Sequence, residues 1–243
     1  MTHVPTLGPS PRPPGRPAMT MHWRELLFVH WPVPVEILRP LVPERLEIDT
    51  HDGTAWIGLV PFTMRDVRHR RCPPVPTMHR FHECNVRTYV RCGDEPAVWF
   101  FSLDAESRLA VWGARRFWGL NYVHSTMTLE RSGDEVTYTV SRVRTPSVGL
   151  RCRWRTATSR PPATPGGLDH FLTERYALVT IDRRGSVRIG RIWHEPWRLR
   201  QAELVELDDG LVAAAGVDLD GRDPALVFAG DSVDVSAWGL ERG

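Results

Sequence analysis

From Phe81 to Val90 the chain alternates with a period of two. Phe81, Glu83, Asn85, Arg87 and Tyr89 fall on one face, and His82, Cys84, Val86, Thr88 and Val90 on the other. The first face is polar for a core strand. Cross-strand neighbours could pair Glu83 and Arg87 in salt bridges of structural value only. Inside a closed sheet the same face would line a binding pocket, where a glutamate acts as a base and an arginine clamps a carboxylate. Further strand patterns cover Ala55–Phe62, Ala97–Leu103, Val123–Leu129, Val136–Val143, Val148–Trp154, Ala177–Ile181, Val187–Ile192, Ala202–Leu207, Gly210–Val217 and Val233–Trp238. Ser132-Gly133-Asp134 reads as a turn, and Asp208-Asp209-Gly210 as a hairpin turn. Helical spacing is confined to Val35–Leu41, Asp104–Arg115 and Leu168–Arg175, with Asp104 expected to cap the second. Many short strands with few helices predict a mainly β fold, closed or sandwiched and antiparallel.

Residues 1–20 carry six prolines and too little apolar surface to offset ordering, so they are expected to form a disordered tail. Residues 21–243 are expected to form a single domain, large enough to bury a core without staples. The first twenty residues lack the apolar run of a signal peptide, and no stretch approaches the roughly 20 apolar residues of a membrane span. The four cysteines form no CxxC pair, so a cytoplasmic protein with reduced thiols is expected. The net charge of +2, without a basic cluster, argues against a nucleic-acid partner. His79-x-x-His82-x-Cys84 is a poor metal set, since His79 and His82 do not share a strand face. No Gly-x-Ser-x-Gly elbow presents a nucleophile, and no glycine-rich loop cradles a phosphate. Neither a metal nor another cofactor is expected.

Several segments together resemble a bacterial family, the YqjF-like proteins. They are His30-Trp31, Trp56–Phe62, Phe81-x-Glu83-x-Asn85-x-Arg87-x-Tyr89, Phe100–Ala105, Ala114-Arg115, Phe171–Tyr176 and His194-x-Pro196-Trp197-x-Leu199-x-Gln201-Ala202. That family is similar in fold to acetoacetate decarboxylase, which implies an antiparallel β cone or barrel around a pocket, with a few short helices. The decarboxylase's lysine motif, roughly Gly-Arg-Glu-x-Trp-Gly-Phe/Tyr-Pro-Lys-Lys, lies against Ala114–Val123. Arg115, Trp118 and Gly119 match, while Arg116, Asn121 and Tyr122 stand where the motif has glutamate, proline and the nucleophilic lysine. The chain contains no lysine at all; its 31 basic residues are arginines. An iminium mechanism therefore has no side-chain amine to work with.

The resemblance implies that Tyr122 and Glu83 face the pocket as proton-moving groups, with Arg116 beside them as a third catalytic candidate. Arg115, Arg87 and Asn121 are candidate substrate anchors. His194, and less strongly His30, are candidates because imidazole exchanges protons near neutral pH. The function expected is a small-molecule enzyme acting on an oxo-acid or polyketide-like substrate by non-covalent acid–base and electrostatic catalysis, as a lyase, dehydratase, isomerase or cyclase. The alternative is a non-catalytic protein that binds a small organic anion. A homo-oligomer is also implied, since similar folds assemble into multimers.

Overall fold

The computed structural model describes residues 11–73, 75 and 78–243. Fifteen strands follow the chain as β1 Met19–Arg24, β2 Leu26–Val33, β3 Glu47–Ile48, β4 Ala55–His69, β5 Arg80–Cys92, β6 Glu95–Ala105, β7 Tyr122–Ser132, β8 Glu135–Arg142, β9 Gly149–Ser159, β10 Ala177–Ile181, β11 Val187–Trp193, β12 Leu199–Asp209, β13 Leu226–Gly230, β14 Val233–Ala237 and β15 Glu241–Arg242. The helices are short: α1 Val35–Leu38, α2 Arg108–Gly113, α3 Leu168–Thr173 and α4 Leu211–Ala214. The chain is mainly β, as its sequence patterning implies.

All the strands join one sheet, and the sheet closes on itself twice. The shared wall is β4-β5-β6. One ring runs from this wall through β10, β11, β14 and β1 and returns to β4. The other runs through β7, β8, β9, β12, β13 and β2 and also returns to β4. The length of β4 makes this possible, since its first half pairs with β2 and its second half with β1. Closure removes the exposed edges that an open sheet of this size would present. Two pairings depart from the antiparallel expectation: β6 runs parallel to both β10 and β7.

Alternation on β5 divides its side chains between two interiors. Cys84, Val86 and Val90 join the larger core, with Leu27, Leu59, Tyr138 and Trp154. Phe81 packs in the other cluster, with Met21, Phe28, Phe62 and Leu103.

Three local expectations are corrected. Asp104 does not cap a helix. It lies inside β6, whose pairing with β5 continues to Glu83↔Ala105, and α2 is instead capped by the Ser107 hydroxyl, which accepts from the Ala110 amide at 3.2 Å. Residues 210–217 do not form a strand. Asp209 Oδ1 accepts from the Leu211 amide at 2.8 Å and starts α4. The segment 1–20 reads as a tail, but Met19 and Thr20 already pair with Ala237 and Ser236, and the Arg12 guanidinium sits 5.3 Å from the centre of the Trp193 ring. Residues 1–10 lie outside the described residues. Among the described residues no helix is long and apolar enough to cross a membrane.

Candidate functional site

The smaller ring encloses a cavity of about 690 Å³. Every strand of that ring contributes to its wall, including Met21 and Trp23 from β1, Phe62 from β4, Phe100 from β6 and Ile192 from β11. Most of the wall is apolar. The polar exceptions include Glu83, Asn85 and Arg87, consecutive inward positions of β5, together with Tyr122, Arg175 and His194.

Tyr122 reaches this cavity through a particular turn. After α2 the chain makes one π-helical turn, Ala114–Trp118, and Gly119 then takes a left-handed conformation with φ 64°. The Thr180 hydroxyl donates to the Gly119 carbonyl at 3.0 Å and holds the turn against β10. The chain re-enters the sheet at Tyr122, which lies level with Leu103 in the parallel β6–β7 pairing. The Tyr122 hydroxyl donates to Glu83 Oε2 at 2.8 Å.

Burial and the nearby Asp104 push the Glu83 carboxyl up to about 8, although the Tyr122 bond opposes the shift. Glu83 is thus a neutral acid at pH 7. Burial first, and then the charge and bond of Glu83, push the Tyr122 phenol well above its ordinary range. Asp104 carries its own counter-charge. Arg142 donates to its two carboxylate oxygens at 2.9 Å each, and the Ser125 hydroxyl donates to Oδ1 at 2.7 Å. The Tyr138 hydroxyl approaches the backbone carbonyls of Phe62 at 2.9 Å and Glu83 at 3.0 Å, bracing β5 from its other side.

Arg87 does not pair with Glu83. Its Nη2 donates to the Leu172 carbonyl at 3.0 Å, and its guanidinium lies 5.6 Å from the ring centres of both Phe28 and Tyr89. Among the described residues its Nε, the Asn85 Oδ1 and the Trp23 Nε1 are buried with no protein partner. Buried polar atoms left in this state favour a polar ligand beside them.

His194 is buried between aromatic rings, with the centres of Tyr176 and Trp197 each 4.8 Å away. Its Nδ1 lies 2.7 Å from the Glu195 carbonyl. A carbonyl can only accept, so the ring proton sits on Nδ1 and Nε2 keeps its lone pair. Burial lowers the His194 pKa, outweighing the Glu195 bond that raises it, so the ring is neutral at pH 7.

His30 lies outside the cavity wall. It is fully buried behind Tyr89, with Nε2 2.7 Å from the Tyr89 hydroxyl, which in turn donates to the Leu172 carbonyl at 2.8 Å. Gly58 makes room for it, since a β-carbon there would meet the His30 ring at 3.0 Å.

The structure therefore gathers Glu83, Arg87, Tyr122 and His194 along one cavity, with His30 behind it. It does not bring Arg115, Arg116 or Asn121 to that cavity. These three line a separate outer cleft, and the Asn121 amide donates to the Phe101 carbonyl.

Sequence reasoning passed over Arg175 as a cavity residue. Its guanidinium donates to Asp49 at 2.7 Å and to the Phe171 carbonyl at 2.8 Å. Trp23 and Trp197 were also missed, and nothing in their spacing marks them. Asn85 shares the inward face of β5, and that alternation was the available signal. Among the described residues no group of His, Cys, Asp and Glu is placed to hold a metal.

Residues 20–234 match the family model DUF2071, described as "Uncharacterized conserved protein (COG2071)". The chain belongs to this family. It is 40% identical over 230 residues to YqjF of Bacillus subtilis (strain 168), covering 95% of this chain and 94% of that protein. Among solved structures it is similar to an acetoacetate decarboxylase, with TM-score 0.64 and 14% identity over 100% of this chain and 98% of the other. The acetoacetate decarboxylase of Legionella pneumophila is similar at TM-score 0.61 and 12% identity, covering 94% and 90%. The enduracididine biosynthesis enzyme MppR complexed with pyruvate is similar at TM-score 0.63 and 14% identity, covering 96% and 93%. At these identities the likeness establishes a shared fold, the one that the sequence motifs imply.

Proposed function

We propose that the protein is an enzyme that enolises a small oxo-acid or related carbonyl compound inside the 690 Å³ cavity, by acid–base catalysis and without a covalent intermediate. One observation carries this reading. Glu83 and His194 line one largely apolar cavity, and burial there favours a protonated carboxyl and an unprotonated imidazole. These are the states that a general acid and a general base need before reaction.

The substrate carbonyl accepts from Glu83, whose orientation Tyr122 fixes. His194 Nε2 removes a proton from the neighbouring carbon, the C–H electron pair moves into the enolate, and the Glu83 proton neutralises the oxygen that forms. Buried donors aimed at such an oxygen stabilise it strongly. Arg87 supplies positive charge and a free Nε–H for the substrate carboxylate. Reprotonation of the enol at another carbon, loss of a β-hydroxyl, or attack on a second carbonyl would complete an isomerisation, dehydration or cyclisation. For a 3-oxo acid, the electron pair of the C–C bond to the carboxylate can enter the enolate instead, with carbon dioxide leaving and the enol of the shortened ketone formed. The fold shared with a protein complexed with pyruvate is consistent with an oxo-acid ligand.

The test is deuterium incorporation from heavy water into a panel of 2- and 3-oxo acids, read by mass spectrometry. Wild-type protein is expected to accelerate exchange. Glu83→Gln and His194→Gln should each reduce it by about 10²-fold or more while leaving much of the binding affinity. The rate should rise as pH passes the lowered His194 pKa, below 6.5, and fall above about 8 as Glu83 ionises. Saturable binding with no exchange, and variants that alter affinity alone, would identify a binding protein instead.

A further inference from the structure

The outer cleft, about 1010 Å³, has a character unlike the cavity. Arg108, Arg115 and Arg116 reach it from α2 and the π-helical turn, Arg144 from the β8–β9 loop and Arg183 from the β10–β11 turn. Among the described residues these five arginines form no ion pair, whereas those along the strands mostly do, as Arg142, Arg151, Arg155, Arg188 and Arg191 illustrate. Among the described residues Asp182 is the one carboxylate on the cleft wall. It is already occupied, accepting from the amides of Arg184 and Ser186 and from Arg188 Nε at 2.9–3.0 Å. The cleft therefore concentrates positive charge in a protein whose net charge is only +2.

Beside the arginines, Trp112 lines the cleft with 58% of its surface exposed, and the Phe117 ring holds it edge-on at 5.7 Å. An exposed indole face next to several guanidinium groups suits a planar base joined to phosphates. Guanidinium forks bind phosphate oxygens bidentately, and a base stacks on an exposed aromatic face whatever its sequence identity. A concave site of this size fits a small ligand rather than a polymer, which would need an extended basic track.

We propose that this cleft binds a nucleoside diphosphate, with the diphosphate among the arginines and the base on Trp112. The ligand is either the free nucleotide or the nucleotide handle of an acyl-carrying thioester. Trp112 and Leu120 line both cleft and cavity, so an arm from such a handle has a short way to the acid–base groups.

Calorimetric titration with ADP, coenzyme A, pyrophosphate and adenosine tests this, independently of any enzymatic activity. ADP should bind saturably and more weakly as salt rises. Pyrophosphate and adenosine should each bind about tenfold or more weaker than ADP. Arg115→Gln with Arg116→Gln, and separately Arg144→Gln with Arg183→Gln, should weaken ADP by about tenfold or more, while Arg200→Gln should not. Trp112→Ala should weaken ADP but not pyrophosphate. Coenzyme A tighter than ADP would assign the site to the carrier handle, and equal binding to the free nucleotide. Four results would overturn the proposal: no saturation by about 1 mM ADP, affinity unchanged in both double variants, pyrophosphate as tight as ADP, or a single-stranded oligonucleotide that binds tighter through the same arginines.

Discussion

Glu83 shows how one side chain links stability to function. Its folded-state pKa is raised from 4.5 to about 8, so between those values the native state binds more protons than the unfolded chain. The contribution of Glu83 to stability is therefore full below about pH 4.5, falls as pH rises, and levels off above about 8. Glu83→Gln removes this dependence. In urea unfolding the variant should gain on wild type as pH rises from about 5 to about 9; parallel curves would place the Glu83 pKa near its ordinary value. Asp104 stands one layer behind. Arg142→Gln would leave its carboxylate buried without a counter-charge and should cost about 3–5 kcal/mol by the same measurement. A cost below about 1 kcal/mol would mean that water replaces the guanidinium.

Individual elements differ in how much of them could be read beforehand. The inward face of β5 was legible because a strand's period of two leaves no freedom once one face is assigned. Tyr122 was legible only through its place in a motif, since a tyrosine opening a strand has no signature of its own. Arg115 and Arg116 were assigned to the pocket only through their place in the motif, and the π-helical turn that carries them opens on the outer cleft instead. Asp104 was misread because an aspartate before a helix usually caps it, whereas pairing with two neighbours extends β6 past it. Gly119 lies at the turn that delivers Tyr122. Gly119→Ala places a side chain at φ 64°, with Thr180 Oγ1 only at ordinary contact distance, so the cost should come from the backbone at about 1–2 kcal/mol. It should also slow any enolisation, because Tyr122 follows within three residues; unchanged exchange would uncouple the turn from the site.

For the molecule as a whole, the double closure of one sheet explains how a largely apolar fold isolates a few polar groups. The wall β4-β5-β6 serves two interiors. One is filled by side chains, and the other keeps a cavity. The mainly β class was evident from strand density, but the shared wall was not. Which strands close a ring depends on pairings between residues far apart in sequence, such as β1 with β4 and β10 with β6.

The low-dielectric interior is what keeps Glu83 protonated, and proton transfer in the cavity depends on that state. Infrared difference spectroscopy of wild type against Glu83→Gln reads it directly. A protonated carboxyl stretch should be present at neutral pH and should disappear with a midpoint of about 8. Its absence at neutral pH, with a carboxylate band in its place, would contradict the acid role of Glu83 and the mechanism built on it.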